Sequence, residues 1–418
     1  MGLGSILGTG VFVSIGLGAE VAGPAVVIAI ALAGMLATCN ALSSAQLAAN
    51  HPHSGGTYEY GYRYLHPWLG VGAGWMFLSA KSASAATAAI GFASYLTHFF
   101  QLEAADTWSL PIAWTAIALA TVIVLGGIQR SRQATACIVA WTLLGLVVFV
   151  VAGLGALGKA DTSHWRPLFP PDASQPGGPW GALLKATALM FVAYAGYGRI
   201  ATLGEEVRQP RRTIPRAIIA TLLITGSLYA LVGVVAVGTV GAPQLSRLTT
   251  QQGAVLDTLA RQFSVPAVRF VVSTAALTAL LSVLLNLILG LSRVVLSMGR
   301  RGDLPAFTAR LNAARTTPYV AVLLVGLVIA ALVSLESVRT TWSFAAMTVL
   351  AYYAITNLAA LQLSRDERLY HPLFAWLGLA GCLVLACWVD AVLWVIGMAI
   401  AATGILLPRI LRRRSTPD

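Results

Sequence analysis

Acidic side chains are scarce in this 418-residue chain: 15 Asp and Glu stand against 27 Lys and Arg, and charged residues make up only 10%. Soluble domains carry about 25%, so the deficit excludes soluble enzymes and disordered chains. Lysine is rarer still, with Lys81, Lys159 and Lys185 its only occurrences. The arginines that supply the remaining basic charge lie in short runs between apolar stretches, not on an aromatic-interleaved face, which argues against a nucleic-acid partner. The four cysteines, Cys39, Cys137, Cys382 and Cys387, sit in or beside apolar runs without metal-ligand spacing or a disulfide framework. His51 and His53 flank Pro52 with no carboxylate cluster to complete a metal site. No G-x-x-x-x-G-K-[ST] segment occurs, so no nucleotide is expected as a partner. Catalytic acids, histidines and metal ligands do not converge in the sequence, so no enzyme is expected.

What is abundant is apolar: 57% of the residues, with 40 glycines and 11 tryptophans. Glycine is common in membrane helices and tryptophan at bilayer interfaces. Twelve runs approach the roughly 20 residues needed to cross a hydrocarbon core, at about 1–19, 24–47, 68–98, 110–126, 134–157, 180–203, 215–240, 266–297, 318–335, 341–361, 372–388 and 391–407. If the first begins in the cytoplasm, the loops on that side and the C-terminal tail hold nineteen basic residues and the opposite loops six, with Lys81 and Lys185 inside spans. The positive-inside rule then places both termini in the cytoplasm of a multi-pass protein of the plasma (inner) membrane. The inner half of the first span would be only about 10 Å long at 1.5 Å per residue. An additional N-terminal stretch is therefore expected, and it is not a signal peptide.

Two spans carry mid-depth breaks. Gly8-Thr9-Gly10-Val11-Phe12 interrupts the first, and Phe191-Val192-Ala193-Tyr194-Ala195-Gly196-Tyr197-Gly198 the sixth. Each glycine costs a helix about 1 kcal/mol relative to alanine, and unwound backbone in a bilayer persists only where it is buried or lines a cavity. Paired glycines also serve close helix packing, the plainer reading of either break alone. Five helices apart and in helices of opposite direction, the breaks have the signature of an inverted repeat with a midplane site. The N–H groups from Thr9 to Phe12 offer donors and a positive dipole end to a carboxylate. The carbonyls of Ile6 and Leu7, and of Val192 to Ala195, offer acceptors to an ammonium group.

These residues resemble the amino acid permeases of the amino acid-polyamine-organocation (APC) superfamily, whose first helix carries a G-[ST]-G-[IV]-F motif like Gly8 to Phe12. Pro52, Gly55-Gly56 and Tyr58-Glu59-Tyr60 resemble that family's loop after helix 2, and Gly74-Trp75 its start of helix 3. Ala193 to Tyr197, followed by Glu205-Glu206, Pro210 and Pro215, is similar to its helix 6 and following loop. Ser292-Arg293 and Arg301-Gly302-Asp303-Leu304-Pro305 are similar to the end of its helix 8. The matches span about residues 1–310; the last two helices match only in number and hydrophobicity. The resemblance implies an all-α membrane protein of the LeuT-like APC fold. Its first repeat would be 1–161 (helices 1–5) and its second 162–361 (helices 6–10), with accessory helices and a basic tail at 362–418. It implies a secondary amino acid transporter working by alternating access. Thr9 and Gly10 would meet the substrate carboxylate and Ile6 the amino group. Ala193, Tyr194 and Gly196 would line the second break, with Tyr194 as an aromatic lid; Tyr194 and Tyr197 also read as ordinary packing aromatics.

The chain departs from its relatives at several points. Gly198 stands where some of them carry an acid, and no Asp or Glu lies at mid-depth in helices 1, 3, 6, 8 or 10. A buried cationic side chain would lack a partner, so a neutral amino acid is expected. Helix 5 lacks the lysine of several sodium-independent relatives, whereas Lys81 lies near the centre of helix 3. An intramembrane ionisable residue there is a functional candidate for charge balance or proton coupling, or it packs against carbonyls at a helix break. Lys185, in the outer half of helix 6, lines an outer vestibule or snorkels. Ser282 and Asn286, four apart on one helix face, either supply oxygens to a cation site or bond between helices. Glu205, Glu206 and Arg212 form a cytoplasmic gate or a solvated loop. No cofactor is expected beyond a coupling proton or sodium ion; the partners are the amino acid and the bilayer, and the sequence sets no oligomeric state. A transport-like amino-acid sensor, or a carrier of other small amines, uses the same fold.

Overall fold

In a computed structural model, the described residues are 2–51, 55–102, 105–127, 132–157, 162–169, 176–201, 209–251, 253–263, 265–313, 317–335 and 337–413. All regular structure among them is helical. The chain opens with a helix in three pieces, α1 (Gly2–Ile6), α2 (Thr9–Phe12) and α3 (Ser14–Ala22), and continues into α4 (Val26–Asn50). A short α5 (Thr57–Tyr64) leads to α6 (Pro67–Phe99), α7 (Ala105–Leu125) and α8 (Arg132–Leu157). The second broken helix is α9 (Gly178–Tyr194), a 3-10 turn at Ala195–Tyr197, and α10 (Gly198–Ala201). There follow α11 (Pro210–Val240), the short α12 (Ala242–Gln251) and α13 (Val255–Ala260), and α14 (Pro266–Arg301). The chain ends with α15 (Tyr319–Val333), α16 (Val338–Leu361), α17 (Pro372–Ala386) and α18 (Ala391–Arg413).

Local chemistry sets the helix ends. Pro67 and Pro372 begin α6 and α17, behind His66 and His371, whose rings accept from the Trp68 and Leu373 N–H groups. Ser337 caps α16 by accepting from the Thr340 N–H at 3.1 Å. Gly302 ends α14 at φ 82°, a left-handed conformation that favours glycine.

Among the described residues, six segments are long and apolar enough to cross a bilayer: 14–50, 107–125, 133–157, 210–240, 266–301 and 338–361. The pair α17 and α18 passes that test together, bent by 118°. The first segment joins two spans expected separately, because the 3-10 turn Gly23–Ala25 links α3 to α4. The 33-residue α6 is long enough, but its middle is alanine, serine and Lys81 rather than large aliphatics. The second broken helix divides its length between α9 and α10, and α15 has 15 residues.

Helix α6 packs chiefly on α16 and α14, while α4 packs on α11 and α9. The buried face of α6 presents Ala80, Ala83, Ala86 and Ala89, each without solvent exposure. Small residues let helix backbones approach closely, which is how membrane helices gain contact when no hydrophobic force separates protein from lipid. Large apolar side chains such as Met35, Leu327 and Val395 instead point outward and stay exposed, the arrangement expected of a lipid-facing surface.

Candidate functional site

The first helix stops hydrogen-bonding in register at Leu7, whose N–H reaches Leu3 O at 2.8 Å. It resumes when Gly8 O accepts from the Val11 and Phe12 N–H groups at 3.2 and 3.1 Å. Between them the N–H groups of Gly8, Thr9 and Gly10 find no acceptor among the described residues. At the second break, Ala195 O is freed from the helix and accepts from Lys81 Nζ at 3.1 Å and from the Tyr353 hydroxyl at 3.3 Å.

The two breaks press against each other, and this explains their glycines. A Cβ on Gly10 would lie 2.7 Å from the Ala193 Cβ, and one on Gly196 only 2.3 Å from the Ser5 carbonyl oxygen. Tyr229 of α11 spans both breaks: its hydroxyl donates to Ile6 O at 2.7 Å and lies 3.5 Å from Ala193 O. The Tyr194 ring packs against it, 5.3 Å between centroids.

A cavity of about 90 Å³ opens between the breaks, α6, α14 and α16, several times the roughly 10–15 Å³ that one water needs. Ile6, Thr9 and Gly10 line it from the first break, and Val192, Ala193 and Gly196 from the second. Lys81 and Phe77 of α6, Asn286 of α14 and Trp342 of α16 form its other walls. The Trp342 indole is fixed by donating to Leu189 O at 2.9 Å. Toward α10, Arg199 and Arg293 face the cavity; Arg199 runs so close over Gly290 that a Cβ there would meet its Nη1 at 2.4 Å. Among the described lining residues three are cations and none is a carboxylate.

Other expected site residues lie elsewhere. Leu7, Gly8 and Val11 are buried behind the first break, outside the cavity lining. Tyr194 turns its hydroxyl to Ile30 O of α4 at 3.2 Å and lies beside the cavity, not over it. Tyr197 packs on Tyr353 with ring centroids 5.3 Å apart. Asn286 faces the cavity while Ser282, one turn earlier in α14, does not. Arg212 is exposed in the first turn of α11; Glu205 and Glu206 lie outside the described residues. Lys185 pairs with Asp390 at 2.7 Å, which ties α9 to the turn between α17 and α18. Phe77, Arg199 and Trp342, which line the cavity, and Tyr229 and Tyr353, which bond the breaks from outside its lining, were not legible from the sequence, because no local motif marks them.

Two clusters of polar contacts lie outside the cavity lining, one at α13 and one at α5. At the α13 end, the buried Asp257 binds Arg261 and Arg269, each at 3.1 Å, and accepts from Ser273. Tyr95 joins that region to the first break, accepting from the Leu256 N–H and donating to Phe12 O, both at 3.2 Å. At the α5 end, Tyr58-Glu59-Tyr60 meets Arg301-Gly302-Asp303. Glu59 pairs with Arg301 at 2.8 Å, the Tyr58 hydroxyl donates to Asp303 at 2.6 Å, and Tyr62 donates to the same carboxylate. The Arg301 guanidinium also lies 4.3 Å from the Tyr62 ring centroid. Burial first, and then the bond to the Asp303 carboxylate, push both phenols above the ordinary tyrosine range.

The chain is similar to known transport proteins. The family model described as amino acid permease matches residues 1–402. An uncharacterized transporter of Mycobacterium tuberculosis is 39% identical over 425 residues, covering 99% of this chain and 90% of the relative. The branched-chain amino acid permease BcaP of Bacillus subtilis is 25% identical over 88% of this chain and 79% of its own. The methylthioribose transporter of the same organism is 28% identical over 88% and 80%. With a cavity between two broken helices and a family match along nearly its whole length, this chain belongs to the amino acid permease family as a multi-pass membrane protein of the APC superfamily.

Proposed function

We propose that the protein is a secondary active transporter that moves neutral amino acids across the plasma (inner) membrane by alternating access. In this reading twelve spans form a five-plus-five inverted repeat, 1–161 and 162–361, followed by accessory helices in 362–418, with both termini cytoplasmic. The observation that carries the reading is the meeting of the two breaks at one cavity. The free N–H groups of Thr9 and Gly10 receive the substrate carboxylate, aided by the positive end of the following helical segment. The Ile6 carbonyl receives its amino group. Among the described lining residues Lys81 is the buried cation and none is a carboxylate, which gives a cationic substrate side chain no compensating partner there. The relative named for branched-chain amino acids supports an apolar one.

Lys81 is the coupling candidate. Its ammonium holds the freed Ala195 carbonyl, and among the described residues no carboxylate pairs with it. Loss or gain of its proton would change its hold on the second break, and a proton or sodium gradient is the energy source in this reading.

The test is counterflow and uptake of a panel of labelled amino acids in proteoliposomes, with and without proton and sodium gradients. Saturable counterflow of leucine that Gly10→Trp abolishes is the expected result, with Lys81→Met removing the pH dependence of uptake. A folded, monodisperse protein that exchanges no panel member would reject the reading in favour of a sensor.

A further inference from the structure

The acceptor best placed for a substrate amino group is already occupied. Ile6 O is the last carbonyl of α1, at the negative end of a helix, where a donor or cation is favoured. It accepts from the Tyr229 hydroxyl at 2.7 Å. Tyr229 is 1% exposed, braced by Tyr194 and pressed against the first break, since a Cβ on Gly10 would sit 2.9 Å from its hydroxyl. That hydroxyl has a second acceptor within reach, Ala193 O at 3.5 Å, on the opposite break. Rotation about the C–O bond with a small shift transfers the hydrogen bond from one break to the other.

A carbonyl enclosed without a donor is costly, because it has lost water and gained nothing. A carrier whose site depended wholly on substrate to satisfy such carbonyls could not close while empty, and would only exchange one substrate for another. Resting on the transport reading above, we propose that the Tyr229 hydroxyl is a built-in substitute for the substrate's amino group. It satisfies the Ile6 carbonyl in the empty site and turns to Ala193 when substrate binds, so the empty carrier closes and returns. The protein then performs net transport, not obligatory exchange. Tyr229 acts here as a positioning residue that competes with substrate for one acceptor.

The experiment loads proteoliposomes with the labelled amino acid of fastest counterflow, leucine in the present reading, under clamped ion gradients. Efflux into amino-acid-free buffer is compared with efflux into buffer containing the unlabelled compound. Wild type is expected to release label at similar rates in both. Tyr229→Phe, which removes only the hydroxyl, is expected to keep exchange with an equal or lower half-saturation concentration. Its net efflux should fall about tenfold or more, the scale of one unsatisfied buried acceptor. A purely structural role would lower both modes together and raise the half-saturation concentration; that result, or an unchanged ratio, overturns the inference. Should the variant not fold, wild type still decides: exchange without net efflux leaves the transport reading standing and overturns the role of Tyr229. Absence of exchange in wild type instead removes the transport reading itself, and the inference with it.

Discussion

Substituting Gly196 by alanine tests whether the two breaks are held in contact. The new Cβ would lie 2.3 Å from Ser5 O and 2.7 Å from the Ser5 carbonyl carbon and from Ile6 Cγ1. Two of these neighbours are backbone, with no rotamer to yield. The first break would have to retreat by about 1 Å to restore ordinary contact near 3.4 Å. Overpacking of this kind costs about 1–3 kcal/mol, and the displacement falls on the residues that carry Ile6 and Thr9. No helix-propensity gain offsets it, because Gly196 lies in a 3-10 turn. Gly155 of α8 is the control, since a Cβ there meets nothing within 4 Å; in a helix, alanine is favoured over glycine by about 1 kcal/mol. The assay is the apparent melting midpoint of the purified protein, paired with substrate counterflow. Gly196→Ala should lower the midpoint by several degrees and strongly reduce counterflow, while Gly155→Ala should leave counterflow intact and the midpoint equal or higher. A Gly196→Ala protein equal to wild type in both would refute direct backbone contact between the breaks.

Two further perturbations address the polar clusters at α13 and α5. Asp257→Asn leaves Arg261 and Arg269 without their shared carboxylate. The expected loss is about 2–4 kcal/mol, at or below the usual range for breaking a buried pair because both guanidinia are partly solvated. Thermal melting reads it, and an unchanged midpoint would show that the cluster contributes nothing. At α5, the phenols of Tyr58 and Tyr62 are raised in the folded state. The stability they contribute is therefore complete below the unfolded tyrosine value of about 10 and is lost as pH rises through their higher folded values. The absorbance difference at 295 nm between wild type and a Tyr58→Phe, Tyr62→Phe variant should stay flat to about pH 11. A phenolate signal near pH 10 would contradict the buried contact with Asp303, and Asp303→Asn should bring the signal to lower pH.

The breaks were legible because glycine pairs inside apolar runs are costly and conspicuous, and Gly10 and Gly196 occupy the contacts between them. The loop motifs were legible as segments but not as partners. Nothing in the spacing of Glu59 and Arg301, 242 residues apart, indicates that they pair at 2.8 Å. Tyr194 shows the opposite failure: an aromatic beside a break reads as a lid, yet its hydroxyl satisfies Ile30 O on α4. Rotamer and packing, which periodicity does not encode, decide on which side of a helix a tyrosine ends.

Composition and pattern determined that this chain lives in a bilayer and that two of its apolar helices are interrupted at glycine-containing breaks. These are properties of single segments, governed by the cost of exposing polar backbone or charge to hydrocarbon. The tertiary structure alone decided which carbonyls are already satisfied. Tyr229 on Ile6, Lys81 and Tyr353 on Ala195, and Tyr95 on Phe12 join residues from 83 to 223 positions apart. A hydrogen bond forms where donor and acceptor meet within about 3 Å, and only the packing of α6, α11 and α16 around the two breaks brings these donors there.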